Sequence, residues 1–211
     1  MNKNKIALAA AVLVFAPLTM AQPVIGNNVN LKAGLVSLDG ADADSASQLR
    51  LGGHYFIDDA LYAAGALERL AYGYDQSGFE FDYSITAITA GAGYEYPLSE
   101  GFAAFGEGRL GLAFASSSFD FSTGFGGTSS SESSETGFAI VFGGGVRYAA
   151  DLLSAQADFT FTMVSVDDVD GDTTTLNLEG GYEVVEDIIA GGYLSLEGDY
   201  TVYGVSASYK F

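Results

Sequence analysis

Apolar residues alternate with small or polar residues in segments of about ten along most of this chain. In the closing stretch, YGVSASYKF, the residues on one side of an extended strand are Tyr203, Val205, Ala207, Tyr209 and Phe211. Glycine, serine and lysine occupy the other side. Successive side chains of a β-strand point to opposite faces, so a period of two residues indicates half-buried strands. The sequence therefore predicts an all-β protein.

The alternation predicts ten strands, joined by connections of two kinds. The predicted strands span residues 29–38, 48–57, 61–73, 82–96, 102–115, 138–148, 153–166, 175–184, 188–197 and 203–211. Short connections alternate with longer or more acidic ones, predicted at 39–47, 74–80, 116–137 and 167–174. The longest is rich in serine and glycine, a composition that favours a mobile loop.

An even number of strands, with short turns at one end and long loops at the other, is typical of a transmembrane β-barrel. An open sheet of this size would leave two edge strands that invite aggregation, and closure into a single antiparallel barrel removes them. A soluble barrel or sandwich, with its apolar residues inside, is the alternative fold. The third and fourth strands leave their facing open, because Glu68 and Arg69 are adjacent and must point opposite ways.

The basic residues favour the membrane barrel. Outside residues 1–21 all six of them lie in predicted strands, and five share the small and polar face. An Arg or Lys that faces lipid near the membrane centre costs about 2–4 kcal/mol, so these side chains are expected to point into the barrel lumen and pair with acids there. The predicted lumen ion-pair network comprises Lys32, Arg50, Arg109, Arg147, Lys210, Glu107, Asp158, Glu179, Glu183 and Glu197.

The first 21 residues are typical of a secretory signal peptide. Two lysines precede an apolar run at 6–18, and small residues lead to a cleavage site predicted after Ala21. The run is too short to span a membrane, which takes about 20 residues of helix. Residues 22–211 are then the barrel domain. With no cysteine there is no disulfide, and the net charge of −19 argues against binding nucleic acid.

The closing residues Tyr203, Val205, Ala207, Tyr209 and Phe211 resemble the C-terminal signature of bacterial outer-membrane β-barrel proteins. The stretches GAGY at 91–94 and GGGVRY at 143–148 look like those of small porin-family and OmpA-transmembrane-domain-like barrels. The resemblance implies the outer membrane of a Gram-negative bacterium, reached by Sec export, with both termini in the periplasm. It also implies that these closing residues are an assembly signal, recognised by the barrel-assembly machinery after delivery by periplasmic chaperones. Family members mostly have eight strands, which is the alternative to ten.

Two groups of residues are candidates for chemistry. His54 is the sole histidine and is expected on the lumen face beside a short turn, at the wrong end for the catalytic histidines of outer-membrane hydrolases. The sequence therefore predicts no enzyme and no cofactor, with an envelope hydrolase as the remote alternative. Acidic spacing in the stretch DDVDGD partly matches a calcium loop, although the distal glutamate is missing and a solvated turn is the plainer interpretation. Its candidate cation ligands are Asp167, Asp168, Asp170 and Asp172.

The long loops are strongly acidic and carry no basic residue, so they are expected to concentrate cations at their end of the barrel. The favoured function is a porin-like barrel with at most a narrow, cation-preferring path for small solutes or ions. The alternative is a structural or adhesive barrel whose acidic loops bind divalent cations, lipopolysaccharide or a surface. Outer-membrane lipid and lipopolysaccharide are expected partners in either case.

Overall fold

The computed structural model describes residues 26–38, 45–76, 79–123, 127–166, 169–198 and 200–211. The predicted signal peptide lies outside these residues. Ten strands account for nearly all of the described chain. They are β1 Asn28–Leu38, β2 Ser45–Phe56, β3 Leu61–Gln76, β4 Phe79–Ser99, β5 Phe102–Thr123, β6 Gly127–Ala150, β7 Leu153–Val166, β8 Val169–Val185, β9 Ile188–Glu197 and β10 Tyr200–Lys210.

Each strand pairs antiparallel with its neighbours in sequence, and β1 pairs with β10, which closes the barrel. The closing seam runs from Asn28 opposite Lys210 to Leu38 opposite Tyr200. This confirms the all-β closed antiparallel barrel and the ten strands, so the eight-stranded alternative is wrong. The described part of the chain holds no helix long and apolar enough to cross a membrane.

The two ends of the barrel differ. At the end called the turn end here, the connections are 57–60, 100–101, 151–152 and 186–187. Asp151 and Asp187 adopt left-handed φ values of 51° and 65°, a conformation that Asp tolerates better than most residues in tight turns. Asp58 accepts hydrogen bonds from the backbone N–H groups of Leu61 at 2.7 Å and Ala60 at 2.8 Å. These bonds stabilise the carboxylate and lower the pKa of Asp58.

The opposite end, called the extended end here, departs from the sequence prediction. The stretch 116–137 was expected to be a mobile loop, and that expectation is wrong: β5 continues to Thr123 and β6 begins at Gly127. The predicted loops at 74–80 and 167–174 are also mostly strand. Strand pairing explains the difference, because the residues of this serine-rich stretch in β5 and β6 are paired in register across the hairpin. Intrinsic β-propensity is easily overridden by such context.

In the part of the barrel nearer the turn end, the outer wall is apolar and the inner wall is polar. Leu112 and Phe142 are 53% and 56% exposed on the outside, whereas Arg147 is 1% exposed on the inside. Alternation also resolves the facing of the third strand: Leu67 and Arg69 point outward and Glu68 points inward. In β4 the alternation is regular up to a register shift between Pro97 and Ser99.

Aromatic residues ring the outer wall near the turn end, as they do at the interface of membrane barrels. The exposed members of this ring are Tyr55, Phe102, Tyr182, Tyr209 and Phe211. The buried aliphatic cluster of the described chain is small and lies on the inner wall, formed by Ala113, Ala139 and Val166. The wall is thus arranged for an apolar solvent outside and a polar filling inside.

Candidate functional site

Polar side chains from the inner wall fill the lumen. Basic residues reach it from β1, β2, β5, β6 and β10, because each occupies an inward position of the two-residue alternation. Arg69 on β3 points the other way and belongs to the outer wall. The two-residue alternation along each strand determines which side chains point into the lumen. The closure of the barrel determines which of those side chains contact one another.

Arg147 is the most deeply buried of these cations. Its Nη1 lies 3.1 Å from Oε2 of Glu95, and the two side chains are 1% and 2% exposed. Its Nε donates to Oε1 of Gln156 at 3.0 Å, and its guanidinium stacks over the Phe105 ring at 3.8 Å. Glu95 was missed by the sequence prediction, because it lies in the fourth strand, whose facing was left open.

A second cluster surrounds Glu107. Oε2 of this carboxylate lies 3.3 Å from Nε2 of His54 and accepts a hydrogen bond from the Tyr62 hydroxyl at 3.2 Å. Oε1 lies 3.1 Å from Nε of Arg109, whose Nη1 donates to Thr89 at 3.2 Å. His54 therefore lies in the lumen near the turn end as a polar neighbour of Glu107 and Arg147.

Two lysines form ion pairs in the lumen. Lys32 donates to Oε2 of Glu179 at 2.5 Å, although 147 residues separate them in sequence. Lys210 pairs with Glu183 nearer the turn end, where its side chain is 31% exposed. The alternation of side chains along each strand directs both lysines and both glutamates into the lumen. The curvature of the barrel wall then brings each lysine close to its glutamate.

Three members of the predicted network are not ion-paired. Asp158 accepts hydrogen bonds from neutral donors, among them Gln156 at 2.6 Å and Asn177 at 2.8 Å. Glu197 accepts from the Thr175 hydroxyl at 2.7 Å. Arg50 has no carboxylate within 4.0 Å among the described residues. Glu68, also missed, lies directly opposite Arg50 in the sheet and accepts from Gln48.

The lumen contains two cavities separated by a waist of side chains. The cavity toward the turn end has a volume of about 120 Å³, and the one toward the extended end about 190 Å³. The residues that line both, and so form the waist, are Lys32, Arg50, Arg109, Thr160 and Asn177. The cavity toward the turn end is lined mainly by polar side chains, whereas the one toward the extended end also has apolar lining from residues such as Leu70, Ile85 and Val164. Each is large enough for several waters, since one water needs about 10–15 Å³ by this measure.

The remaining candidates are the acidic stretch and the closing residues. Asp167 and Asp168 of the acidic stretch fall outside the described residues, while Asp170 and Asp172 belong to β8. Across the residues with described positions, no group of three or more His, Asp or Glu side chains could hold a metal ion. The closing residues Tyr203, Val205, Ala207 and Tyr209 face outward from β10, and Phe211 follows that strand.

The model of the outer membrane protein β-barrel domain family matches residues 6–151 of this chain. Among solved structures, the chain is similar to the translocator domain of the autotransporter NalP from Neisseria meningitidis. That match has 13% identity, a TM-score of 0.57 and coverage of 99% of this chain and 94% of the other. At this identity the likeness shows the fold alone.

Two further solved structures also match. Ail, the attachment invasion locus protein of Yersinia pestis, has 17% identity and a TM-score of 0.49 over 88% of this chain and 97% of Ail. Neisserial surface protein A has 18% identity and a TM-score of 0.47 over 88% of this chain and 95% of the other. No curated protein matches the sequence.

Proposed function

This chain belongs to the outer membrane protein β-barrel domain family, and we propose that it provides a narrow, water-filled path that prefers small cations. The chain is an outer-membrane β-barrel protein; the path and its selectivity are the proposal. The observation that carries it is the pair of lumen cavities that meet at a waist of polar side chains. A barrel of about eight strands is just filled by its side chains, so ten strands leave room for a thread of water and little more.

The charge of the lumen and of the extended end supports cation preference. The basic side chains of the lumen are Lys32, Arg50, Arg109, Arg147 and Lys210. Its carboxylates are more numerous, namely Glu68, Glu95, Glu107, Asp158, Glu179, Glu183 and Glu197. Beyond them, the acids of the extended end have no basic residue in the same region of the sequence. Such a field concentrates cations at the mouth and repels anions.

Planar-bilayer recording of the purified protein tests the proposal. We expect small conductance steps with a reversal potential that favours potassium over chloride. A protein that never opens channels, or one that prefers chloride, would contradict it.

Neutralising the outer acids should weaken the selectivity without closing the path. The variant Glu80→Gln, Asp82→Asn, Asp120→Asn should lose cation preference at 0.1 M salt, where the Debye length is about 10 Å. At 1 M salt it should match the unmodified protein, because screening to about 3 Å already removes the field. Ser116→Asn with Ser118→Asn, on the same outer wall, is the neutral control and should change nothing.

An adhesive role is the second candidate, and the unequal strand lengths favour it. β4, β5 and β6 have 21, 22 and 24 residues, whereas β1 and β10 have 11 each. A sheet arm therefore projects beyond the rest of the barrel, with outward acids that suit divalent cations, lipopolysaccharide or a surface. Phe119 and Ser131 are direct cross-strand partners, so replacing residues 120–130 with Asn-Gly closes a shorter hairpin through a two-residue turn. Loss of calcium binding and cell adhesion with unchanged insertion would favour adhesion over conduction.

Export and orientation are part of the proposal. Residues 1–21 would direct Sec export, and chaperones and the assembly machinery would insert the barrel with the turn end in the periplasm. The chain has no cysteine, so Ser130→Cys and Asp59→Cys each provide a single label site. A membrane-impermeant maleimide applied to intact cells should label the first and spare the second. We propose no catalytic role; a hydrolase would instead require that His54→Ala abolish an activity.

A further inference from the structure

Arg69 is the one basic residue of the described chain that faces outward. It is exposed on β3, beside Leu49 of β2 and Thr86 of β4. Within the described ranges no carboxylate lies within 4.0 Å of it. Since the other basic residues lie in the lumen, the position of this cation needs its own explanation.

The apolar outer wall ends at the level of Arg69. On β2, β3 and β4 the exposed outward residues on the side toward the turn end are Leu51, Leu67 and Ile88. On the other side, the outward positions of the same strands are Ala71, Ser47 and Ser84. The energetic cost of Arg on the lipid face falls from about 2–4 kcal/mol at the midplane to about 0–1 kcal/mol near the interface. Arg69 therefore lies where the acyl chains end and the headgroups begin.

A groove of about 320 Å³ lies in the outer wall at this level. The groove forms where Ala71 and Gly73 carry little or no side chain. Hydroxyl donors from three strands line it, namely Ser47, Ser84, Ser116 and Ser118. Asp82 lines it as well, two residues beyond Ser84 on the outward face of β4.

We propose that this groove binds the phosphorylated headgroup of an outer-leaflet glycolipid. Arg69 would hold the phosphate through its planar guanidinium fork, which matches phosphate oxygens better than a point charge does. The serines would donate further hydrogen bonds, and the acyl chains would lie along the apolar wall below Leu67. The assignment to the outer leaflet rests on the orientation under Proposed function, whereas the binding chemistry does not.

Asp82 sets the position of the phosphate within the groove. Its carboxylate repels a second anion, so the phosphate is placed at the Arg69 end. Neutralising Asp82 removes a negative charge from the same groove that Arg69→Gln deprives of a positive one. Asp82→Asn should therefore bind the lipid more tightly than the unmodified protein, the opposite of the effect of Arg69→Gln.

Native mass spectrometry of the detergent-purified protein tests the site. The probes are bis-phosphorylated lipid A, the same lipid with both phosphates removed, and inorganic phosphate. We expect phosphorylated lipid A to bind, and Arg69→Gln to weaken that binding by about tenfold, corresponding to the loss of one charge-assisted contact. Arg69→Lys should retain part of the affinity, since it keeps the charge and loses the fork.

Three results would overturn the proposal: Arg69→Gln binding as tightly as the unmodified protein, equal binding of the dephosphorylated lipid, or displacement of the lipid by an equal concentration of inorganic phosphate. The last would assign the groove to free phosphate. Because Arg69 lies on the surface, the heat-dependent gel mobility of folded barrels verifies that each variant is folded. Cysteine labelling in cells tests orientation separately, so a wrong orientation and a wrong site give different results.

Discussion

Charged side chains are in different environments at the two ends of this barrel. Toward the turn end, Arg147, Arg109 and Lys210 each lie within 4.0 Å of a carboxylate in the lumen. At the extended end the acids are exposed on paired strands, with no basic residue near them in sequence. Charges at the turn end are taken out of water and must be compensated there. Those at the extended end stay in water and remain free to act on ions outside.

This contrast predicts that charged residues at the turn end contribute mainly to stability and those at the extended end mainly to the interaction with external ions. A buried ion pair is costly to break because the remaining partner is left as an uncompensated charge. An exposed acid contributes little to stability and much to the field at the mouth. Changes at the turn end should therefore unfold the barrel, whereas changes at the extended end should alter what it attracts.

The largest effect is expected at Arg147. Arg147→Ala removes the cation that lies 3.1 Å from the buried Glu95 carboxylate and the stacking on Phe105, so the free energy of unfolding should fall by about 3–5 kcal/mol. Glu132→Ala, an exposed acid of the extended end, is the control and should change it by less than about 0.5 kcal/mol. Urea unfolding in phospholipid vesicles measures both. Similar losses for the two variants would mean that the buried ion pair of the turn end contributes no more to stability than an exposed acid of the extended end.

The next effect concerns the outer wall along a single strand. Phe142→Arg places a charge in the lipid-facing band and should lower stability by about 2–4 kcal/mol. Ser134→Arg, also outward on β6 but toward the extended end, should be nearly neutral if that part of the strand lies in water. Phe142→Ala separates the loss of the ring from the cost of the charge. Equal losses of stability for Phe142→Arg and Ser134→Arg would mean that no membrane boundary lies between these two positions.

A smaller effect is expected at Lys210. Its pair with Glu183 belongs to the turn end, yet the lysine side chain is 31% exposed, so water already screens the interaction. Lys210→Ala should lower the free energy of unfolding by only about 0–1 kcal/mol. If the loss equals that of Arg147→Ala, burial is not what distinguishes these pairs.

The smallest effect is a pH dependence at the 57–60 turn. The backbone N–H groups of Leu61 and Ala60 lower the pKa of Asp58 in the folded state, so the carboxylate contributes stability above its unfolded pKa. That contribution is lost as the pH falls through the lowered folded pKa, below the ordinary value of 3.8. Asp58→Asn keeps an acceptor oxygen and does not titrate. Comparing its unfolding with that of the unmodified protein between pH 2 and 6 should show a slightly shallower acid dependence in the variant.

The number of strands and the facing of most side chains could be predicted from the sequence. Both depend on a two-residue period that each strand carries locally. The third strand shows the limit of this reasoning, because adjacent Glu68 and Arg69 fit either facing until neighbouring strands select one. Arg69 consequently emerged as an outward residue, and its groove became visible, only in the folded barrel.

The inward direction of the lumen residues could be predicted on the strands with clear alternation, which left out Glu68 and Glu95, and the contacts between them could not. Alternation decides that Lys32 and Glu179 point inward, since the direction of a side chain is a local consequence of strand geometry. That they meet across 147 residues depends on the curvature and register of the closed barrel, as does the length of the serine-rich hairpin at the extended end. Such features arise from contacts between distant segments, and a local pattern carries no information about which distant segment will be adjacent.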